Sequence, residues 1–432
     1  MALPQEAVYN QLKPSVAAAE GRTARLFPEA GTSFTGGQII NFSLPAGRSG
    51  EYLRGTETSL FLKIKNTGAA ASNANDAHFD GGAWSIIQKI SIFHGATLLS
   101  EIEDYNALHN LMYDMTASSN YRQSVGSLIH GTADVGPGSS TAETLKGATI
   151  TENGGEYNAA IQIISPLIGT TSEKMLPLGL MSADLRVSIT LAADAAAFMF
   201  SGTPVITYSD VELHTQIVQM DPSVDAAIAS DPSGVLSFHS TDFRTYTHSI
   251  ASGTTFDVVQ LPMRFSSLNY ALHVFRPSSN LSASAKRAVS GRTKNKLTKA
   301  QYRLGSQLVP QRPVDISNSN MAGAVVELLK TQGKLESLGD DFGLIFADTA
   351  LFTNDDTTGS SLQGSFALGI DLTPFSGSLD DLSNGGINSL STPIALEMSF
   401  GTTTYDARLT TYANYSTMLV LDLNTGLLSV RF

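Results

Sequence analysis

Basic side chains are concentrated in one stretch of an otherwise acidic chain. The 432-residue sequence has a net charge of −12, yet nine basic residues and no acidic ones lie between its positions 276 and 312: Arg276, Lys286, Arg287, Arg292, Lys294, Lys296, Lys299, Arg303 and Arg312. Such a cluster can bind nucleic acid or acidic lipid head groups, because Lys and Arg neutralise phosphates. A solvated loop, or a loop that contacts another subunit, is the commoner explanation of such a stretch. Tyr302 is the only aromatic residue among these charges, so no platform for base stacking is indicated.

The other residues that could bind a metal or take part in catalysis are not surrounded by a sequence motif that would activate them. His94, His109 and His130 follow one another at intervals of 15 and 21 residues, and no carboxylate is placed to complete a metal site, so we interpret them as structural. The doublets Asp340–Asp341 and Asp355–Asp356 are interpreted as solvated loop acids, since their spacing is not that of a calcium loop. Nucleotide-binding, hydrolase and zinc-protease motifs are missing from the sequence. We therefore predict no enzymatic activity, no catalytic residues, no metal and no cofactor.

Two stretches of the chain run the same course, which predicts two similar domains. The segments IINFSLP (39–45) and TSLFLKIK (58–65) correspond to FDVVQLP (256–262) and LNYALHVF (268–275), and SIFHGATLL (91–99) corresponds to QYRLGSQLV (301–309). A helical segment follows in each copy. Both copies then end in strands that we expect to pair, Leu185–Leu191 with Val205–Val218 and Ile394–Phe400 with Thr417–Leu423.

The length of 432 residues fits two domains of roughly 200 residues each. We divide the chain into an N-terminal arm (1–37), a first domain (38–220), a linker with a short helix (221–234) and a second domain (235–432). Short apolar segments between Gly, Ser, Asn and Pro clusters are typical of an all-β fold. We predict two tandem antiparallel jelly rolls with short helices in the connecting loops.

Two helices and one long loop complete this expectation. The spacing of apolar residues predicts a helix over Ser100–Met115, with Ser100 and Glu103 as a capping box. Met321–Thr331 is predicted to be the helix at the corresponding place in the second domain. Gly131–Asn158 has few large apolar residues and is expected to be an exposed loop. Trp84, the only Trp, is expected in the core.

The composition also indicates the cellular compartment in which the protein is expected. It has no Cys, no apolar run long enough to cross a bilayer and no apolar segment of a signal peptide near its start. We expect a soluble protein that can assemble in a reducing cytosol or nucleus. Its charged fraction of 15% is low for a soluble domain, as on surfaces that copies of the same chain later cover.

Short motifs in the right order resemble a known family. HFDGGAWSII (78–87), IFHGATLL (92–99) and DYNAL (104–108) look like the first domain of double-jelly-roll major capsid proteins of tailless icosahedral DNA viruses, within the adenovirus–tectivirus lineage. The closest likeness is to the smaller, Polinton-like and adintovirus-like members. MLPLGL (175–180), SDVEL (209–213), LPMRFSSL (261–268) and YRLGSQLV (302–309) extend the resemblance over most of residues 38–432.

The resemblance implies a structural protein of the virion. Three chains would form a pseudo-hexameric homotrimer, a hexon-like capsomer, and such capsomers would tile an icosahedral capsid together with minor capsid and penton proteins. The loops Gly131–Asn158 and Asp348–Gln363 would form outer towers. The basic loop, with the candidate residues Lys286, Arg287, Arg292, Lys294, Lys296 and Lys299, would face inward toward the packaged genome or an internal membrane.

A different class of function remains open from the sequence. Tandem jelly rolls can form a carbohydrate- or receptor-binding module, as in a viral fibre or a lectin. That alternative predicts aromatic residues on the loops, and the two tower loops contain only two of them, Tyr157 at an edge of the first and Phe352 in the second. The size of the purified protein would separate the two classes.

Overall fold

The computed structural model describes most of the chain. The described residues are 19–132, 146–169, 174–230, 232–281, 287–317, 320–335, 343–346, 352–355, 364–373, 385–401 and 404–431. None of the helices among them has the length and apolar character needed to cross a bilayer.

The first half of the chain folds into three antiparallel sheets. Its strands are β1 (Ala19–Leu26), β2 (Ser33–Phe34), β3 (Ile39–Leu44), β4 (Glu51–Asn66), β5 (Ala77–Asp80), β6 (Ile87–His94), β7 (Thr97–Glu103), β8 (Lys146–Ile150), β9 (Gly155–Gln162), β10 (Leu176–Pro177), β11 (Leu185–Leu191), β12 (Phe198–Met199) and β13 (Ile206–Met220). Two larger sheets have the orders β1-β13-β4-β10, with β2 on β13 and β9 on β4, and β3-β11-β6-β7; the third is β12-β5-β8. Alternating side chains enter the core, as in β11, where every second residue is buried.

The second half folds into two antiparallel sheets. Its strands are β14 (Val235–Ile250), β15 (Phe256–Leu261), β16 (Leu268–Pro277), β17 (Leu297–Leu304), β18 (Gln307–Asp315), β19 (Leu368–Asp371), β20 (Ile394–Phe400), β21 (Ala407–Asp422) and β22 (Leu428–Arg431). The sheet orders are β14-β21-β16-β19, with β22 on β21, and β15-β20-β17-β18.

The two halves repeat one topology strand for strand. The order β3-β11-β6-β7 corresponds to β15-β20-β17-β18, and β1-β13-β4 with β9 corresponds to β14-β21-β16 with β19. Each half is therefore a sandwich of two sheets in which four strands of each sheet have a counterpart in the other half, and the all-β prediction of two tandem jelly rolls is confirmed. We call them the first and second sandwich.

Short helices occupy the connections. They are α1 (Tyr105–Thr116), α2 (Ser119–Tyr121), α3 (Ser127–Ile129), α4 (Asp194–Ala197), α5 (Pro222–Ala229) and α6 (Ala322–Thr331). A π-helical turn joins α2 to α3, and one-turn 3₁₀ segments lie at 83–86, 178–180, 278–280 and 344–346. The predicted linker helix is α5, where the Asp221 side chain accepts a hydrogen bond from the Ser223 amide. The helix predicted over Met321–Thr331 is confirmed as α6.

The predicted pairing of the closing strands is wrong. β11 pairs with β3 and β6, whereas β13 pairs with β1, β2 and β4 in another sheet. β20 and β21 are separated in the same way. Strands that follow each other in the chain here cover opposite faces of one core, and local sequence alternation does not reveal which sheet a strand joins.

Part of the arm predicted over residues 1–37 belongs to a sheet. Residues 1–18 lie outside the described residues, but β1 pairs with β13 from Ala19 through Leu26 and β2 adds a further bridge. β1 stands where β14 stands in the second sandwich. Its mostly polar, exposed residues carry no core pattern, so the sequence did not identify it as a strand. The boundaries at 220 and 234 stay predictions.

Two further expectations are corrected. Ser100 and Glu103 belong to β7, and α1 begins only at Tyr105 after Asp104, whose φ of 48° is left-handed and whose side chain makes no capping bond. The expected loop Gly131–Asn158 contains β8 and the start of β9, while 133–145 lie outside the described residues. Most of the expected tower Asp348–Gln363 also lies outside them. Trp84 is fully buried, as predicted.

Candidate functional site at the contact between the sandwiches

The structure places the predicted basic residues in several different environments. Arg287, Arg292 and Lys294 are only 3%, 2% and 2% exposed, so the interpretation of these three as an accessible inward-facing loop is wrong. Lys296 is half-buried with its ammonium 3.5 Å from an Asp355 carboxylate oxygen, and Lys299 is exposed. Lys286 lies outside the described residues. The buried cations lie inside the protein because acids compensate their charge.

Asp104 is the centre of the contact between the sandwiches. Its Oδ2 lies 2.8 Å from Nη2 of Arg276 and 2.5 Å from Nη2 of Arg408, both from the second sandwich. The Tyr412 hydroxyl donates to the Asp104 carbonyl at 3.1 Å, and Gln88 Nε2 donates to Oδ1 at 2.8 Å. Asp104 and Arg276 are almost fully buried, so solvent screens their attraction little. One carboxylate at the start of α1 thus joins the two halves.

A second pair lies at the other end of α1. Arg292 Nη2 lies 2.6 Å from Asp114 Oδ2, and Asn110 donates to the same oxygen at 3.1 Å. Asn110 also accepts a bond of 3.3 Å from the indole N–H of Trp84. The core of the first sandwich therefore positions the acid that neutralises Arg292.

Asp80 makes a third contact, at the end of β5. Its carboxylate accepts the Val289 amide at 2.5 Å and a short hydrogen bond from the Ser290 hydroxyl. Burial raises the pKa of Asp80, although these bonds and the charge of Arg287 oppose the rise. Burial also lowers the pKa of Arg287 to about 10, against the attraction of Asp80. The contact holds the start of the basic stretch on the first sandwich.

Asp355, predicted to be a solvated loop acid, instead has two ammonium neighbours. Its Oδ2 lies 3.4 Å from Nζ of Lys294, and its Oδ1 accepts the Lys296 amide at 2.8 Å. Its side chain is 12% exposed, so the prediction is wrong for this residue. Asp340, Asp341 and Asp356 lie outside the described residues.

The acids of this contact were missed from the sequence. Asp80 and Asp114 are single carboxylates within apolar segments, whereas Asp104 directly follows Glu103, and all three lie far from the cations in the chain. An isolated acid in an apolar segment is the one signal that the sequence offered, because a buried charge needs a partner. Which partner it has depends on how the two sandwiches dock.

The closely spaced histidines lie in the core of the first sandwich. His109 stacks on Trp84 with ring centres 4.8 Å apart, and its Nε2 lies 3.0 Å from the Gln162 carbonyl. His130 Nδ1 lies 2.8 Å from the Ala160 carbonyl. His94 Nδ1 accepts the Leu428 amide of the second sandwich at 3.2 Å. Within the described residues, no group of three or more potential ligands could hold a metal ion.

A cavity of about 530 Å³ opens beside α1. Its lining includes His109, Tyr113, Tyr121, His130 and Ile164. Burial lowers the pKa of His109 to about 4 and also lowers that of His130, so both imidazoles are neutral at neutral pH. The described residues of its wall are mostly aromatic and apolar and include no carboxylate.

Acid is expected to destabilise the protein through its buried histidines. Burial lowers the pKa of His273 to about 3, so below pH 6.5 the unfolded chain takes up a proton that the folded chain does not. The contribution of His273 to the free energy of unfolding is therefore fully present above pH 6.5. It decreases by roughly 1.4 kcal/mol per pH unit as the pH falls toward 3. Between pH 6.5 and 5, the free energy of unfolding measured in urea should fall less steeply for His273→Gln than for wild type. The difference between the two slopes should be roughly 1.4 kcal/mol per pH unit.

Asp242 provides a control of opposite sign. Burial raises its pKa to about 6, so its contribution to stability grows as the pH falls from 6 toward 4. Asp242→Asn should therefore lose more stability on acidification than wild type. Equal pH slopes for all three proteins would show that neither group titrates differently in the folded chain.

Solved structures resemble the fold of this chain, whereas sequence comparisons find no relative. Neither a protein-family model nor a curated protein sequence matches the chain significantly. A chain of the Sputnik virophage structure matches at a TM-score of 0.61 with 11% identity, covering 100% of this chain and 93% of that one. The Faustovirus major capsid protein matches at 0.60 with 9% identity over 95% and 92%. A chain of the PBCV-1 virus capsid matches at 0.59 with 11% identity over 98% and 99%.

These solved structures share the double-jelly-roll architecture along nearly their whole length. Because only about one residue in ten is identical, these structures establish the fold of this chain and not its role. The Polinton-like lineage stays a prediction.

Proposed function

We propose that this chain is a structural major capsid protein, whose homotrimers are pseudo-hexameric capsomers that tile an icosahedral shell. The observation that carries the proposal is the repeat of one strand order in two sandwiches joined by buried ion pairs. Because the sandwiches are alike and fixed to each other, three chains around a threefold axis present six similar sides. One gene product then packs on a hexagonal lattice.

The fold comparisons support this role. Proteins with this architecture, among them a named major capsid protein and a chain of a virus capsid, match along more than nine-tenths of both chains. In the proposal the chain acts in the virion without enzymatic activity, after assembly in the host cytoplasm or nucleus. Its first partner is itself, then neighbouring capsomers and minor capsid or penton proteins.

Only some residues of the basic stretch are accessible for a contact with the interior of the virion. Arg287, Arg292 and Lys294 are engaged inside the protein, which leaves exposed Lys299 and half-buried Lys296 among the described candidates. We propose these two for contact with packaged genome or an internal membrane.

The size and shape of the purified protein test the function. Light scattering should give the mass of three chains of 45.7 kDa, and electron microscopy should show particles with hexagonal outlines, or closed shells. A monomer at all concentrations would contradict the proposal. A monomer that also binds glycans on an array would favour the fibre or lectin alternative.

A further inference from the structure

The cavity beside α1 has the size and composition of a small-molecule site. Its wall is formed by α1, by the segment 117–121 with His130, and by Gln162 and Ile164 at the end of β9 and beyond it. Sites that hold small molecules have volumes of roughly 300–1,000 Å³ and are lined mainly by aromatic and apolar side chains. The volume of about 530 Å³ lies within that range.

Two aromatic side chains of the wall are fixed from behind. Trp84, which is fully buried, packs on His109 with ring centres 4.8 Å apart and on Tyr113 with ring centres 4.6 Å apart. A wall that is already ordered loses little conformational freedom on binding, which favours affinity. Met112 also belongs to the lining, and its polarisable sulfur makes favourable contacts with aromatic rings. These side chains favour a flat, aromatic ligand.

The described wall of the cavity is uncharged. Its lining residues include no Asp, Glu, Lys or Arg. His109 Nε2 lies 3.0 Å from the Gln162 carbonyl and His130 Nδ1 lies 2.8 Å from the Ala160 carbonyl. Because a carbonyl oxygen can only accept, each of these nitrogens carries the single proton of a neutral imidazole. A charged ligand would find no counter-charge in this wall, so the site favours a neutral one.

The Tyr121 hydroxyl provides one polar contact for such a ligand. Because the proton of neutral His130 lies on Nδ1, its Nε2 can only accept a hydrogen bond. The Tyr121 hydroxyl, whose oxygen lies 3.3 Å from Nε2, is therefore the donor in this pair. The oxygen of Tyr121 keeps its own lone pairs, so it can accept a hydrogen bond from an N–H or O–H group of a ligand.

We propose that this cavity binds a small, neutral, aromatic molecule with one hydrogen-bond donor, which donates to the Tyr121 hydroxyl oxygen while its rings pack on Met112 and Tyr113. The site goes beyond the proposed capsid role and does not depend on it. Tyr113 lies next to Asp114, which pairs with Arg292 of the second sandwich at 2.6 Å. A ligand that packs on Tyr113 therefore binds at the end of α1 that contacts the second sandwich.

The neutral dye N-phenyl-naphthylamine, which has two aromatic groups and one N–H donor, tests the site on the purified full-length chain. Its fluorescence should rise to saturation at one dye molecule per chain. The urea midpoint of unfolding should rise with the dye concentration, because a ligand of the folded state stabilises that state. A signal that does not saturate, or a midpoint that does not move, would overturn the proposal.

Two analogues of the dye test the chemistry of the ligand. Anilinonaphthalene sulfonate has the same rings and the same N–H group but carries a negative charge, and the N-methyl derivative of the neutral dye has no donor. Each should bind about tenfold more weakly than the neutral dye. If the sulfonate binds as tightly, the site does not select a neutral ligand, and if the N-methyl derivative does, it does not select a donor.

A substitution that fills the cavity tests where the dye binds. Thr116 is an exposed residue of the lining at the end of α1, and Thr116→Phe should weaken binding by about tenfold or more by occupying the space. The matched control is Thr255→Phe, the same change at an exposed position of the second sandwich, which should bind as wild type does. Circular dichroism should show both variants folded. Equal affinities of the two variants would place the dye elsewhere and contradict the proposal.

Tyr121→Phe tests the hydrogen bond, because it keeps the ring and removes the hydroxyl. It should weaken binding of N-phenyl-naphthylamine to the level of the N-methyl derivative, and it should leave the affinity for that derivative unchanged. An equal loss for both dyes would mean that the hydroxyl acts only on the shape of the wall, and the assigned contact with the ligand would be wrong.

Discussion

Replacing Asp104 by Asn is expected to lower the free energy of unfolding by about 3–5 kcal/mol, because it leaves buried Arg276 without a counter-charge. Asn has nearly the same shape and tolerates the left-handed backbone at this position, so the substitution removes the charge and little else. Urea unfolding followed by tryptophan fluorescence and circular dichroism measures the loss. Because Trp84 reports only on the first sandwich, diverging transitions would show that the sandwiches unfold separately.

The surface pair Arg54–Glu57 is the matched control. Its atoms are 3.1 Å apart, but the two side chains are 55% and 47% exposed. Glu57→Gln should change stability by less than about 1 kcal/mol, because solvent screens such pairs. If Asp104→Asn proves as mild as this control, the buried pair does not hold the sandwiches together.

Replacing Trp84 by Ala is expected to cost about 3–5 kcal/mol through the cavity that it leaves in the core. Trp84 is fully buried between His109 and Tyr113, with ring centres 4.8 and 4.6 Å away. The change also removes the donor to Asn110, which bonds to Asp114 at the contact between the sandwiches. The effect should therefore reach the pairing of Asp114 with Arg292.

Unfolding by denaturant, read by circular dichroism, measures this cost. Trp84→Phe should lose less, because an aromatic ring still fills much of the space, and Val258→Ala at an exposed edge should change stability by less than about 0.5 kcal/mol. A Trp84→Ala variant as stable as Val258→Ala would mean that the core refills the cavity without cost.

The sequence predicted those parts of the fold that local pattern encodes. The repeat of IINFSLP and FDVVQLP marked the two sandwiches because each copy must bury the same faces. Helix α6 was predicted because Met321–Thr331 stands in the second copy where the first copy has its helical segment. By contrast β1, with its exposed Glu20, Arg22 and Arg25, is a strand only because β13 offers it an edge.

The environment of the basic stretch could not be predicted from local sequence pattern. In the sequence, Arg276, Arg287, Arg292 and Lys294 lie close together without acids between them, which is the pattern of a site for an external polyanion. In the folded chain, Asp80, Asp104, Asp114 and Asp355 lie against these cations and are buried with them. The reason is physical: charge is a property of each residue, whereas its neutralisation depends on which distant surfaces fold against each other.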